Sequence, residues 1–286
     1  MRPGWLDLVD RTEGVPAVYG EETPPQLSAV VVHGVEFAWP AVRLTFALPA
    51  FPAHPPARWV ARGSDTVRLT IDLAETQDVE LAGWDADVTG EVDLARAGDR
   101  IAVSLASPAA SFTCTARFVG LLEMVAVRST PRPQKPPQRP PQQQPPPRPR
   151  AAAGSWLDLV EGGDAVTDLY GDEAASLLGP AVLHSIRLDP GASTVRIGLD
   201  LRSLPAEPPP EWVRLGYNCA YLGVQLSGVR DVRLRGWQLD VVGDLELRRD
   251  GDRVAVSWDT PAVAFRCTAA AVRVTAVTGG IVGDSW

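Results

Sequence analysis

Apolar residues recur at every second position over most of this chain. Val42, Leu44, Phe46 and Leu48 alternate with Arg43, Thr45 and Ala47, and Val67, Leu69, Ile71 and Leu73 alternate with Arg68, Thr70 and Asp72. A period of two is that of a strand with one face on a core. Val92-Leu94 and Ile101-Val103-Leu105 flank A-R-A-G-D-R (95–100), and R-R-D-G-D-R (248–253) fills the same place later in the chain. Gly and Asp between alternating segments predict a β-hairpin. S-F-T-C-T-A-R-F-V-G-L-L-E-M-V-A-V-R (111–128) predicts a strand pair or one long bent strand. Only the starts read differently. Trp5, Leu8 and Val9 fall at i, i+3, i+4, as do Val166, Leu169 and Tyr170, which predicts short helices. Asp164 is the expected N-cap of the later one, and Gly20 and Gly171 are the expected stops. One short N-terminal helical segment and some six to eight antiparallel strands predict an α+β domain, mainly antiparallel β, with one sheet face in water.

The pattern runs through the chain twice. At an offset of 151, Trp5 meets Trp156, Tyr19-Gly20 meets Tyr170-Gly171, and His33 meets His184. After a two-residue insertion Trp59 meets Trp212, Gly83-Trp84 meets Gly236-Trp237, and F-T-C-T-A (112–116) meets F-R-C-T-A (265–269). This is a tandem duplication. The copies occupy residues 1–128 and 151–286, with a connector at 129–150. Ten of the connector's 22 residues are Pro, which predicts extended polyproline II rather than helix or central strand. At about 3.1 Å per residue it reaches roughly 70 Å, so it is expected to act as a semi-rigid spacer holding two domains apart. Its K-P-P-Q-R-P-P also resembles a P-x-x-P ligand for an aromatic groove.

Charge narrows the partners. Residues 1–128 carry 10 Arg against 17 acids, net −7, and 151–286 carry 12 against 18, net −6. Only the connector is basic, with five cations and no acid. Acidic folded halves repel phosphates, so direct nucleic-acid binding is not expected. No apolar run approaches the ~20 residues that cross a bilayer, and the start lacks a signal-peptide core. A cytoplasmic protein is expected.

Little of the shared chemistry suggests catalysis. His33 and His184 are paired, but each is a lone strand histidine without metal spacing, and His54 lies in a Pro-rich loop. Cys114 and Cys267 have apolar or small neighbours at alternate positions, the setting of a core thiol rather than a nucleophile. Cys219 has no cysteine counterpart in the first copy, which has Thr66 at that place. Glu91 and Asp93 share a strand face opposite Val92 and Leu94, the pattern of a solvated face. No nucleophile elbow, P-loop or dinucleotide fingerprint occurs. A hydrolase would require a pocket bringing His33 to a carboxylate in both halves. The chain is expected not to be an enzyme, and no cofactor or metal is expected. The remaining shared residues are aromatic. Trp5, Tyr19, Trp59 and Trp84, their mates Trp156, Tyr170, Trp212 and Trp237, and the two paired cysteines are expected to anchor the repeat's core, although Trp and Tyr also suit binding surfaces.

W-L-D-L-V (5–9), V-Y-G-E-E (18–22), P-P-A-R-W (55–59), the G-W at 83–84 and the closing F-x-C-T-A together resemble the immunity protein 50 family of bacterial polymorphic toxin systems. The resemblance covers residues 4–128 and again 155–280. It implies an α+β domain that binds a secreted toxin's effector domain in the producing cell's cytoplasm and blocks it by occlusion, with no cofactor and no turnover. An acidic surface would suit a basic nuclease toxin. Charge and position single out Glu21, Glu22, Asp87, Asp172, Glu173 and Asp240 as candidate partner contacts. Family members are expected to be single domains, and the second copy departs at Glu211, where the first has Arg58. Two like folds with unlike surfaces suggest two partners, or two faces of one. The competing reading is a tandem protein-binding scaffold unrelated to toxins, with the Pro-rich connector as its ligand segment.

Overall fold

A computed structural model describes residues 4–19, 26–38, 40–84, 87–129, 155–238 and 240–281. The connector from residue 130 lies outside them.

Each start divides in two instead of forming one helix. A 3₁₀ turn, Trp5–Leu8, precedes α1 (Gly14–Tyr19). Asp7 Oδ2 accepts the Gly4 N–H at 2.8 Å at that turn. The chain between turn and helix has other work: Asp10 N–H donates to Val119 O and Asp10 O accepts from Leu121, at 2.8 and 2.9 Å. Glu161 does the same with Val272 and Val274 in the second copy. W-L-D-L-V therefore leads each chain start onto the outer edge of a sheet, satisfying strand groups that would otherwise be open.

The first copy continues through β1 (Val30–Ala38), β2 (Ala41–Ala47), α2 (Ala57–Ala61), β3 (Thr66–Ala74), β4 (Gln77–Gly83), β5 (Thr89–Ala97), β6 (Arg100–Ala106), β7 (Ala110–Ala116) and β8 (Phe118–Val127). β7 and β8 are one long strand bent at Arg117, whose N–H donates to Ala74 O at 3.1 Å. β3 pairs with β8 and β4 with β7, so two bent strands run side by side from one layer to the other. Thr89 and Gly90 of β5 then pair with Val31 and Val30 and close the ring. Gly90 is required there, since a Cβ would run into the Ala106 carbonyl. The β5–β6 hairpin turns through Gly98, at φ +67°, and Asp99.

The second copy repeats this with a 3₁₀ turn at Trp156–Leu159, then α3 (Asp164–Tyr170), β9 (Ala181–Asp189), β10 (Thr194–Leu201), α4 (Pro210–Arg214), β11 (Cys219–Ser227), β12 (Arg230–Arg235), β13 (Val241–Gly243), β14 (Leu245–Asp250), β15 (Arg253–Asp259), β16 (Ala264–Ala269) and β17 (Ala271–Gly280). Asp164 is the first helical residue and Gly163 the N-cap, a one-residue departure from the expected cap. Gly171, at φ +55°, ends the helix as expected. Gly20 lies outside the described residues.

The two copies are not held apart. β1 pairs antiparallel with β9, and β4 with β12. Two continuous eight-stranded sheets result, β8-β3-β2-β1-β9-β10-β11-β17 and β5-β6-β7-β4-β12-β16-β15-β14. In the first, Glu36 stands opposite Arg187; in the second, Leu81 stands opposite Leu234. Each of these is a residue facing its own repeat mate, so one pseudo-twofold axis passes through both joints, the arrangement of an isologous dimer within one chain. Between the sheets at this axis Phe37 is fully buried, with its ring 6.2 Å from Phe112 and 5.5 Å from Trp237 of the other copy. The copies meet, contrary to the expected separation, for a physical reason. Strand edges with unpaired N–H and C=O groups seek partners, and each copy offers the other two of them.

Candidate functional site

Of the six candidate carboxylates, four lie among the described residues, in three separate segments of the chain. Glu21 and Glu22 lie outside them. Asp172 and Glu173 are exposed in a 3₁₀ turn, Gly171–Ser176, and Asp87 is exposed ahead of β5. Asp240 is half-buried before β13, held at φ +54°. The aromatic residues mostly face inward. Tyr19, Trp59, Trp84, Trp156 and Tyr170 are buried, while Trp5, Trp212 and Trp237 are half-buried against the core. Trp156 Nε1 donates to Ala174 O at 3.0 Å, and the Tyr170 hydroxyl to Ser203 O at 3.1 Å. Burial pushes the Tyr19 and Tyr170 hydroxyls up to about 12, and the Cys114 and Cys267 thiols likewise to about 12. Such thiols stay protonated at neutral pH and are poor nucleophiles.

The paired histidines have a structural origin. In β1–β2 the register passes from Val32↔Phe46 to Gly34↔Thr45, and in β9–β10 from Leu183↔Leu199 to Ser185↔Gly198. His33 and His184 are the extra residues of equivalent β-bulges, which re-aim a side chain out of the strand's alternation.

Around His184 the second copy has built a polar cluster. Its Nδ1 lies 3.3 Å from Asp200 Oδ2, with the carboxylate 24% exposed and the imidazole 57%. The Tyr221 ring meets the imidazole edge-on at 5.9 Å, and its hydroxyl is hydrogen-bonded to Ser185. The bond to Asp200 raises the His184 pKa above the usual histidine value against the effect of burial, and the charges of Asp200 and Asp240 add to the rise. Gly198 makes room, because a Cβ there would strike the Tyr221 hydroxyl and approach Ser185 Oγ to 2.7 Å. Its cross-strand neighbour is Gly223.

The first copy is a control for what the fold alone needs. By register, Gly34, Thr45, Ala47, Arg68 and Thr70 occupy the positions of Ser185, Gly198, Asp200, Tyr221 and Gly223. Thr45 and Thr70 fill the hollow, their hydroxyls 3.1 Å apart. Five neighbouring differences thus act together at one place. The carboxylate beside His184 has no counterpart at Ala47.

A second feature sits where β4 meets β12. An open groove of about 680 Å³ is lined by Asp78, Glu80, Asp259 and Arg235 among smaller residues, so its charge is mixed. No group of three or more metal-binding side chains occurs among the described residues, and none of the described helices is long and apolar enough to cross a membrane.

A family model for immunity protein 50 matches residues 12–127 and 165–280, one region in each copy and together most of the chain. The chain belongs to the immunity protein 50 family. No curated protein and no solved structure matches it significantly. The two matched regions contain every barrel strand but leave out both W-L-D-L-V segments and the connector. Since both barrels are immunity protein 50 units, the differences around His184 arise within one family's fold. Asp200, Tyr221 and Ser185 escape a reading that looks for residues shared by both copies. The available signal was glycine, at Gly198 and Gly223, inside otherwise regular strands.

Proposed function

We propose that this immunity protein 50 chain binds the effector domain of a polymorphic toxin in the cytoplasm of the producing cell and neutralises it by covering its working surface, without turnover. The observation that carries this reading is the family match over both barrels. A mode without catalysis agrees with thiols buried in the core and held protonated. A net charge of −8 favours encounter with a basic partner, such as a nuclease domain. The strand pairing between copies supports one rigid binding body rather than two independent modules on a tether.

The test is survival on co-expression with the toxin domain encoded beside this chain. Full-length protein is expected to protect cells. Residues 1–128 or 151–286 alone are expected to protect poorly, because each exposes two strand edges that the other half covers. Death of cells that contain soluble full-length chain, with a toxin that kills by itself, would count against the reading.

A further inference from the structure

We infer that the outer face of β9–β11 in the second copy receives an arginine side chain of a protein partner, held by Asp200 and packed against the ring of Tyr221. This rests on the toxin-binding reading for the partner's identity, but the site stands on its own geometry.

A guanidinium is recognised by a carboxylate together with an aromatic face, since it is planar, permanently charged and weakly hydrated. Both halves of that requirement are present. One Asp200 oxygen is engaged by His184 Nδ1, leaving the other able to accept, and the two rings meet at 87° with centroids 5.9 Å apart. Asp240 adds a second negative charge nearby, since it precedes Val241, which pairs with Leu183 next to His184. The arginines on the same face, Arg187 and Arg196, stand opposite each other three and four residues along their strands, roughly 10–13 Å away at about 3.3 Å per residue. They leave room for a cation from outside.

The cluster does no work for the barrel that the other copy leaves undone. At the same five positions the first copy closes the hollow with Thr45 and Thr70, places Arg68 where Tyr221 stands, and has no acid at Ala47. An arginine in the first copy at the ring position would repel the cation that the second copy attracts. Recognition is thereby confined to one half of a pseudo-symmetric surface, which is how duplicated folds acquire one-sided specificity.

The protein has three histidines, so their ring signals in NMR report separately on His184, His33 and His54. The full chain would be titrated with a hexa-arginine peptide. His184 is expected to shift saturably while His33 and His54 stay in place. Asp200→Ala and Tyr221→Leu are each expected to weaken the response about tenfold or more, the loss typical of a charged or aromatic hot spot. Unchanged His33 and His54 signals would show that the variants remain folded. Equal shifts at His33 and His184, no shift at His184, or undiminished binding by either variant would each overturn the assignment. None of these outcomes bears on survival in the co-expression assay, so the two readings fail independently.

Discussion

Reversing the charges at the pseudo-twofold axis probes the joint between the copies. Glu36 faces Arg187 across it and also lies 3.6 Å from Arg43, itself bonded to Asp72 at 3.0 Å. Arg187 in turn faces Arg196. Glu36→Arg therefore removes one ion pair and sets an arginine between two others. Glu36, Arg43 and Asp72 are about a third exposed and Arg187 and Arg196 are exposed, so solvent screening holds each pair to the low end of ~0.2–1 kcal/mol. The single variant should lose about 1 kcal/mol, a fall of roughly 2–4 °C in melting temperature for a protein of this size. Arg187→Glu exchanges an unfavourable neighbour for a favourable one and should be near neutral. Each reversal flips the sign of the Glu36–Arg187 term, so a double-mutant cycle reads about four times that term. Even ~0.2 kcal/mol across the axis becomes a coupling of about 0.8 kcal/mol, above the scatter of independent sites. The assay is urea denaturation of the parent, both singles and the double, at low and high salt, with coupling expected to shrink as salt rises. Additivity within about 0.3 kcal/mol at low salt would mean that residues 36 and 187 do not face each other, and the joint would be wrong.

Other consequences follow from the His184 cluster and the core thiols. Asp200→Ala removes the main cause of the raised His184 pKa, so the histidine should titrate lower by NMR; an unmoved pKa would place its cause elsewhere. Because the folded pKa is raised, this pair stabilises fully below the unfolded histidine value of about 6.5 and progressively less as pH rises through the folded value. The stability difference between parent and Asp200→Ala should therefore be larger at pH 5.5 than at pH 9. Gly198→Thr, which imports the first copy's residue without its threonine partner, should displace Tyr221 and cost about 1–3 kcal/mol of overpacking; a neutral result would show the hollow to be roomier than drawn. With a thiol reagent at pH 8, half-buried Cys219 should react in the native protein while Cys114 and Cys267 react only on unfolding.

Much of the barrel was legible because alternation reports burial directly. Val42 to Leu48 became β2 and its following residue, Val67 to Leu73 became β3, and the Gly98-Asp99 turn sits where Gly and Asp marked it. The starts misled because Trp5, Leu8 and Val9 satisfy helical spacing across one 3₁₀ turn and the extended residue after it, a stretch too short for periodicity to separate the two helix types. The joint was hidden for a different reason. A strand covered by the other copy carries the same inward residues as one covered by its own sheet, so Phe37 and Leu81 read as ordinary core. Proline content suggested separation, yet composition of a connector says nothing about edges elsewhere. The His184 cluster does not stand out in the sequence because equivalence between copies marks shared residues, while Ser185, Gly198, Asp200, Tyr221 and Gly223 are positions at which the copies differ.

The most direct test of the two-barrel body is to place a protease site within residues 129–150 of the full chain, cut it, and measure the size of the product by gel filtration at micromolar concentration. With β1–β9 and β4–β12 holding the copies together, the cut protein should elute as one species of the intact chain's size and separate only on denaturation. Two species of half that size would show that the connector alone unites the copies, contradicting the continuous sheets.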